Sequence, residues 1–473
     1  MKRSKPNLQT CLTILLLWAL ITSCYSKQDE TNFRNYLNQD TRIQGKAGVL
    51  LTALGQPEDY EYSFYDKYLN LIFNSAFPPI LKFIILRDSG TVLRDPDNLM
   101  AAEEYKPKKL MDCFAKIKNE QGVPYAELEV EWVKPRGEGK AGHFLWEKKN
   151  GFVDIAEKSA IKVAAAYYSN MPGNKVPYRV QHHALFDNVK ALLGKQYPGM
   201  PVRTAWDMYP ESIKKALDEL IKEKVETIVV CDLFPVYSSL EEFNSLFVEI
   251  DHLVAGRAKV VYTPYVGAYE SFRKAYVQMA EDEIAKLPKQ QKKLLVLTRH
   301  GMPEIQGEPF HKLSQVYYRN LKKEIEQAVA KTNTNVIFSD IEFASEEDDP
   351  DNERLSSAEA VEKGLEKKYA SMIFILVDFM TENTDTVFCV RNEALEPLDF
   401  AYEGEVPYAD FSQPFRTELT KDKTKFIVAG TPVGERYRPL VAQGIFDTLN
   451  TVLSQEKWPQ LILKEEEPER AVF

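Results

Sequence analysis

The stretch LLVLTRHGMPEIQGEPF, residues 294–310, puts Arg299, His300 and Gly301 directly after an aliphatic run. Histidine is scarce in this chain, six in 473 residues, so one placed at the end of an apolar run needs a reason. Imidazole titrates near neutral pH and can accept a proton or act as a nucleophile. A lone histidine at a strand end is more often a satisfied structural group. Further on, DFMTENTDTVF (378–388) carries Glu382 and Asp385, three residues apart. If that segment is helical the two carboxylates share one face and can guide a cation. They can equally open a helix, where the dipole favours acidic side chains. His182 and His183 are adjacent and point in different directions on a helix, so joint metal ligation is not expected. His183 is kept as a single ligand contact.

The elements that must position these groups are short aliphatic runs: 47–53, 202–206, 226–231, 259–263, 294–298, 335–338, 372–378 and 425–430. Continuous apolar runs suit parallel strands covered on both faces. Amphipathic segments lie between most of them. Residues 210–223 open with Pro210 and carry Ile213, Ala216, Leu217 and Leu220 at helical spacing. Comparable patterns cover 182–194, 267–286, 311–330, 355–367 and 436–454. The alternation predicts an α/β protein with two doubly wound, mostly parallel, Rossmann-like halves. The expected organisation is an N-terminal half over 45–255, a C-terminal half over 256–432 and a C-terminal helix with an acidic tail over 433–473. Residues 90–178 read as an insertion with some helix and no secure strand.

A formal charge of −10 argues against non-specific nucleic-acid binding. Lys2, Arg3 and Lys5 precede a short apolar run, Cys11 to Ser23, which is shorter than the roughly 20 residues of a membrane span. The run reads as a signal peptide over 1–24, followed by a polar tether over 25–44. Its end, Ile21-Thr22-Ser23-Cys24, resembles a bacterial lipobox. That resemblance implies lipidation of Cys24 and an extracytoplasmic, membrane-anchored protein. Cys113, Cys231 and Cys389 show neither a disulfide framework nor a metal knuckle. Cys231 reads as a buried thiol.

Arg299-His300-Gly301 after a strand resembles the phosphate pocket of the histidine phosphatase superfamily. That pocket needs a second histidine well downstream, and no histidine follows His311. A larger set of motifs is similar to the ferrochelatase family. His300-Gly301-Met302-Pro303 with Gly307-Glu308-Pro309-Phe310 resembles its His-Gly-hydrophobe-Pro and Gly-Asp-Pro-Tyr. Asp232-Leu233-Phe234-Pro235-Val236-Tyr237-Ser238 looks like its Pro-Leu-Tyr-Pro-Gln-Tyr-Ser loop, and AWDMYPESIKKALDEL (205–220) like its strand, turn and helix. GVLLTALGQPED (48–59) is similar to the family opening. DFMTENTDTVF resembles Gly-Phe-x-x-Asp-x-x-Glu-Thr-Leu, the source of the family's acidic catalytic partner.

The resemblance implies a chelatase fold and insertion of a divalent metal, Fe²⁺ first, into a porphyrin-type tetrapyrrole. The metal is a substrate, and no permanently bound cofactor is implied. His300 takes the place of the catalytic histidine that accepts pyrrole protons, Asp385 that of its glutamate partner, and Glu382 that of the preceding aspartate. His300, Glu382 and Asp385 become the candidate metal contacts. Phe234, Tyr237, Met302, Pro303 and His183 become candidate ring contacts. Such chemistry needs a near-neutral base, oxygen ligands that release the cation and an apolar cleft. There are departures. Asp385 is one methylene shorter than glutamate, Cys389 and Arg391 stand where the family has further acids, and Arg299 replaces a small residue. The Gly-Gly-Gly-Ser-Pro loop is not recognisable. A non-catalytic tetrapyrrole or metal binder is therefore the alternative, with a phosphohydrolase third.

Overall fold

The computed structural model describes residues 31–61, 64–65, 99–101, 130–135, 144–149, 152–154, 167–168, 170–300, 311–341, 355–389, 398, 406–408 and 410–462. In the N-terminal half, β1 (Ala47–Ala53), β6 (Val202–Trp206), β7 (Thr227–Asp232) and β8 (Lys259–Tyr262) form a parallel sheet in the order β6-β1-β7-β8. In the C-terminal half, β9 (Lys293–His300), β10 (Thr334–Ile341), β11 (Ser371–Leu376), β12 (Arg416–Lys421) and β13 (Thr424–Ala429) take the order β10-β9-β11-β13-β12. Only β12 runs antiparallel there. Every residue of β7 and of β11 is buried, as expected for strands covered on both faces. The α/β class and the two-sheet architecture are those the apolar runs predict.

Besides a helical stretch at 31–37, seven α-helices cover the sheets among the described residues: α1 (Tyr178–Gln196), α2 (Pro210–Lys222), α3 (Phe247–Val254), α4 (Glu270–Ala285), α5 (His311–Val329), α6 (Ser357–Glu366) and α7 (Gly434–Leu453). In α2 the buried set is Ile213, Ala216, Leu217 and Leu220, and Pro210 opens the helix where a missing N–H costs nothing. α6 begins with a capping box: Glu359 N–H donates to Ser356 Oγ at 3.1 Å, and Ser356 N–H donates to Glu359 Oε2 at 2.7 Å. α7 packs against α4 and α1 and so joins the two halves. At Gly444 a Cβ would lie 2.5 Å from Phe272 Cα, so only glycine permits this approach of α7 to α4.

Two expectations need correction. The 90–178 region holds an antiparallel sheet of β2 (Leu99–Ala101), β3 (Val130–Pro135), β4 (Phe144–Lys149) and β5 (Phe152–Asp154). Residues 31–44, read as tether, are docked on the N-terminal half: Phe33 and Tyr36 are buried, and the Tyr36 hydroxyl donates to Thr263 O at 3.0 Å. Aromatic side chains three apart on the helical stretch 31–37 supply the apolar face that a free tether lacks. β12, a strand nobody would read from apolar runs, adds an edge to the second sheet. The leader over 1–24 with Cys24, the acidic stretch 342–353 and the tail beyond 462 lie outside the described residues. Among the described residues, no helix is long and apolar enough to cross a membrane.

Candidate functional site

The parallel strands of the second sheet end along one edge, and His300 is the last residue of β9. Its ring meets Phe379 edge-on, centroids 5.8 Å apart. Its backbone N–H donates to Asp378 Oδ2 at 2.6 Å, and the Tyr318 hydroxyl of α5 donates to Asp378 Oδ1 at 2.8 Å. Burial lifts the Asp378 pKa to about 6, against the two hydrogen bonds and the nearby His300 and Arg299, which pull it down. The backbone of the candidate base is therefore held by a carboxyl whose pKa burial brings close to neutrality.

Arg299 is fully engaged behind this pair. Its Nε and Nη2 donate to Asp340 Oδ1 and Oδ2 at 2.6 and 3.1 Å, with both residues buried. The guanidinium also lies over the rings of Tyr318 (5.2 Å) and Phe338 (4.9 Å). A bidentate, stacked, buried arginine is a brace for the strand ends and not a free phosphate ligand. This is the physical reason that the Arg-His-Gly triplet does not build a phosphate pocket.

The acidic segment does not present its carboxylates on one helical face. Helical geometry begins at Thr384 and continues as a π-helical turn, Asp385–Cys389, so Glu382 precedes it. Asn383 opens the turn: its Oδ1 accepts from Thr386 N–H, and its own N–H donates to Thr386 Oγ1, both at 2.8 Å. Glu382 is 0% exposed, and its Oε1 accepts the backbone N–H groups of Phe415 (3.0 Å) and Thr431 (2.8 Å). No space remains for a Cβ at Gly430 beside that carboxyl. Burial raises the Glu382 pKa to about 7, outweighing those hydrogen bonds. Glu382 is thus placed as an internal anchor, while Asp385 is half-buried at the start of the turn.

The same segment carries the contact between the halves. Glu382 N–H donates to Gln181 Oε1 at 2.8 Å, and Thr381 Oγ1 lies 2.8 Å from His182 Nδ1. Gln56 Nε2 donates to Thr384 Oγ1 at 2.8 Å. His182 is buried, and desolvation depresses its pKa to about 3, so it stays neutral. His183 lies exposed on α1 with its ring 5.3 Å from that of Trp206. Phe234 is half-buried and packs 6.3 Å from Phe379, which joins it to the His300 group. Tyr237 does not: it is 0% exposed, its hydroxyl lies 3.0 Å from Thr263 Oγ1, and it packs on Tyr36 and Phe247 in the N-terminal core. Its ring is committed to the core before any ligand arrives. Cys231 is a buried thiol whose pKa burial pushes up to about 12. Met302, Pro303 and Arg391 lie outside the described residues.

Sequence reasoning missed Asp378, Tyr318, Gln181 and Gln56. A signal existed for Asp378, which stands where the family motif has glycine and follows an unbroken apolar strand. Among the described residues, no three His, Cys, Asp or Glu side chains are grouped to hold a metal ion.

The family model for ferrochelatase matches residues 144–399, more than half of the chain. The chain belongs to the ferrochelatase family. The match takes in β9 with His300 and the acidic segment, whereas the opening 48–59 lies before it. The ferrochelatase of Aquifex aeolicus is 24% identical over 243 residues, covering 50% of this chain and 72% of that protein. Among solved structures, SirB from Bacillus subtilis with Fe³⁺ aligns at a TM-score of 0.40 and 11% identity, over 58% of this chain and 89% of SirB. CbiX, described as the terminal enzyme of sirohaem biosynthesis in denitrifying bacteria, aligns at 0.35 and 16%, over 57% of this chain and 92% of CbiX. Similarity at this level carries no functional argument. Membership of the ferrochelatase family rests on the matched residues.

Proposed function

We propose that this protein is a divergent chelatase that inserts a divalent metal, Fe²⁺ first, into a porphyrin-type tetrapyrrole. The observation that carries the reading is the tie between His300 and Asp378 at the strand ends of the second sheet, within the matched residues. Metal insertion requires two pyrrole protons to leave as the cation enters. His300 accepts one proton and releases it to solvent before taking the second, and Asp378, with a pKa of about 6, supports the charge that forms on the ring. Phe379 and Phe234 offer apolar surface for a flat macrocycle beside that base. Asp385 is the candidate metal contact, and Glu382 acts from within as the anchor of its segment. In family-like sites the crevice outside the carboxyl ends of parallel strands receives the ligand, and His300 occupies such an end.

The leader read over 1–24 supports a protein exported and held to a membrane by lipidated Cys24. Export separates it from cytoplasmic haem synthesis, which gives the non-catalytic binder its standing as second reading. One experiment separates the two. Purified protein is titrated with porphyrin and then given Fe²⁺, Co²⁺ or Zn²⁺ under anaerobic conditions while the absorption bands are followed. Saturable ring binding with metallation above the protein-free rate supports the chelatase. Ring binding at the protein-free metallation rate leaves the binder, and no ring binding removes both.

A further inference from the structure

A cavity of about 380 Å³ lies between α1 and α7, beyond the ends of β11 and β13. That volume is in the range of small-molecule sites. One wall is the face of α1 that carries Val180 and Leu185, the other is the face of α7 that carries Arg438 and Val441. Met380 forms part of the floor, and Phe411 closes one side.

Three observations give the cavity a chemistry. First, Arg438 has a buried Nε with no hydrogen-bond partner among the described residues. Its neighbour Arg436 is held by Asp282 at 2.5 Å, so the two arginines of this turn differ in kind. Side chains on a helix lean towards its N-terminus, which directs Arg438 to the first turn of α7, where Gly434 lines the cavity. Second, the residue before α7, Val433, supplies no side-chain cap to the first-turn N–H groups on the same side. Third, Val180 is 45% exposed and is one of two large apolar side chains exposed among the described residues. It stands at the mouth of the cavity. The acidic lining residue Asp410 has its Oδ1 taken by Ser412 N–H (2.9 Å) and Ser412 Oγ (2.6 Å). An anion with an apolar body satisfies all three features; a neutral apolar molecule or a bare anion satisfies only part.

We propose that this cavity binds a small organic carboxylate with an apolar body. The carboxylate pairs with Arg438 at the first turn of α7, and the body lies between Val180, Leu185, Phe411 and Val441. Thr381, in the floor, bonds His182 of the N-terminal half and precedes Glu382, so an occupant bridges both halves at the root of the acidic segment.

The test is isothermal titration of the full chain with benzoate and octanoate. Benzyl alcohol and octanol serve as uncharged counterparts, and inorganic phosphate as an anion without a body. Saturable binding of the carboxylates is expected, with at least about tenfold weaker binding of the alcohols and of phosphate. Arg438→Gln is expected to weaken the carboxylates by about tenfold, and Ala184→Phe, which fills the cavity, to remove binding. No saturable binding overturns the proposal. So do equal affinities in wild type and Arg438→Gln, or equal affinities for carboxylate and alcohol or for carboxylate and phosphate. Circular dichroism checks that each variant folds, and should Ala184→Phe fail, Arg438→Gln alone decides. The measurement uses neither porphyrin nor metal, so its outcome is separate from that of the chelatase reading.

Discussion

Each of the two larger sheets ends a central strand beside an aspartate, buried in one and half-buried in the other, and the two meet very different company. Asp232, the last residue of β7, is 0% exposed and takes the Thr52 hydroxyl at 2.8 Å and Leu233 N–H at 3.1 Å. Its other neighbours in hydrogen-bonding reach are the carboxyls of Glu242 and Asp207, and burial raises its pKa. Asp378, just past β11, meets a histidine backbone, a tyrosine hydroxyl and a nearby paired arginine. Burial alone raises a carboxyl's pKa. At the end of β9 such a carboxyl also holds the backbone N–H of a histidine.

The largest expected effect tests the brace behind His300. Arg299→Leu removes the bidentate guanidinium partner of buried Asp340, which should cost about 3–5 kcal/mol in chemical denaturation. A loss under about 1 kcal/mol would mean that the pair is not closed in solution.

The next effect is on pH. The folded pKa of Glu382 is raised from 4.5 to about 7, so the folded state holds its proton more tightly than the unfolded chain. The stability this contributes is complete below pH 4.5 and is lost as pH rises through about 7. In metal-free protein the loss should be on the order of 3 kcal/mol. Glu382→Gln keeps both backbone acceptor contacts and should flatten the upper part of this slope. Asp378 contributes a lower slope, from 3.8 to about 6. An unchanged profile in the Gln variant would place Glu382 in contact with solvent.

The comparison itself is tested by two matched variants. Asp378→Asn should lower the rate of porphyrin metallation by about tenfold, less than the roughly hundredfold at the lower end of direct general acid–base contributions because Asp378 acts through His300. Asp232→Asn should leave that rate unchanged and stabilise the fold above neutral pH. Equal effects of the two would dissolve the distinction between the halves. The smallest effect concerns α6, whose first turn abuts Asp340 through Asp340 N–H donating to Leu355 O at 2.8 Å. Ser356→Ala removes the capping box and should cost about 1 kcal/mol in thermal or chemical unfolding.

Apolar runs made both sheets legible, because strands buried on two faces have to be aliphatic throughout. β12 reads RTELTK and alternates on an edge, so no apolar run marks it. Its hairpin with β13 turns through Asp422 and Lys423, both at positive φ (49° and 70°), without the glycine that usually signals such a turn. The β4–β5 pair was marked by Asn150-Gly151 between its strands, a turn signal hidden in a stretch dense with Lys and Glu. At the site, His300 was readable as a histidine after an apolar strand. Glu382 was readable as an acid but not as a buried one, because its partners are backbone groups from residues 415 and 431 that no local pattern announces. Tyr237 shared a motif with Phe234, yet its ring is captured by Tyr36, from a segment that read as tether.

The central claim is that His300 takes protons from a ring during metal insertion. It is tested most directly by initial rates of porphyrin metallation, at saturating ring, for wild type and His300→Ala. The account predicts a rate well above the protein-free background in wild type and a fall of at least about a hundredfold, or to background, in the variant, with ring affinity changed little. Metallation that persists at the wild-type rate in His300→Ala would contradict it.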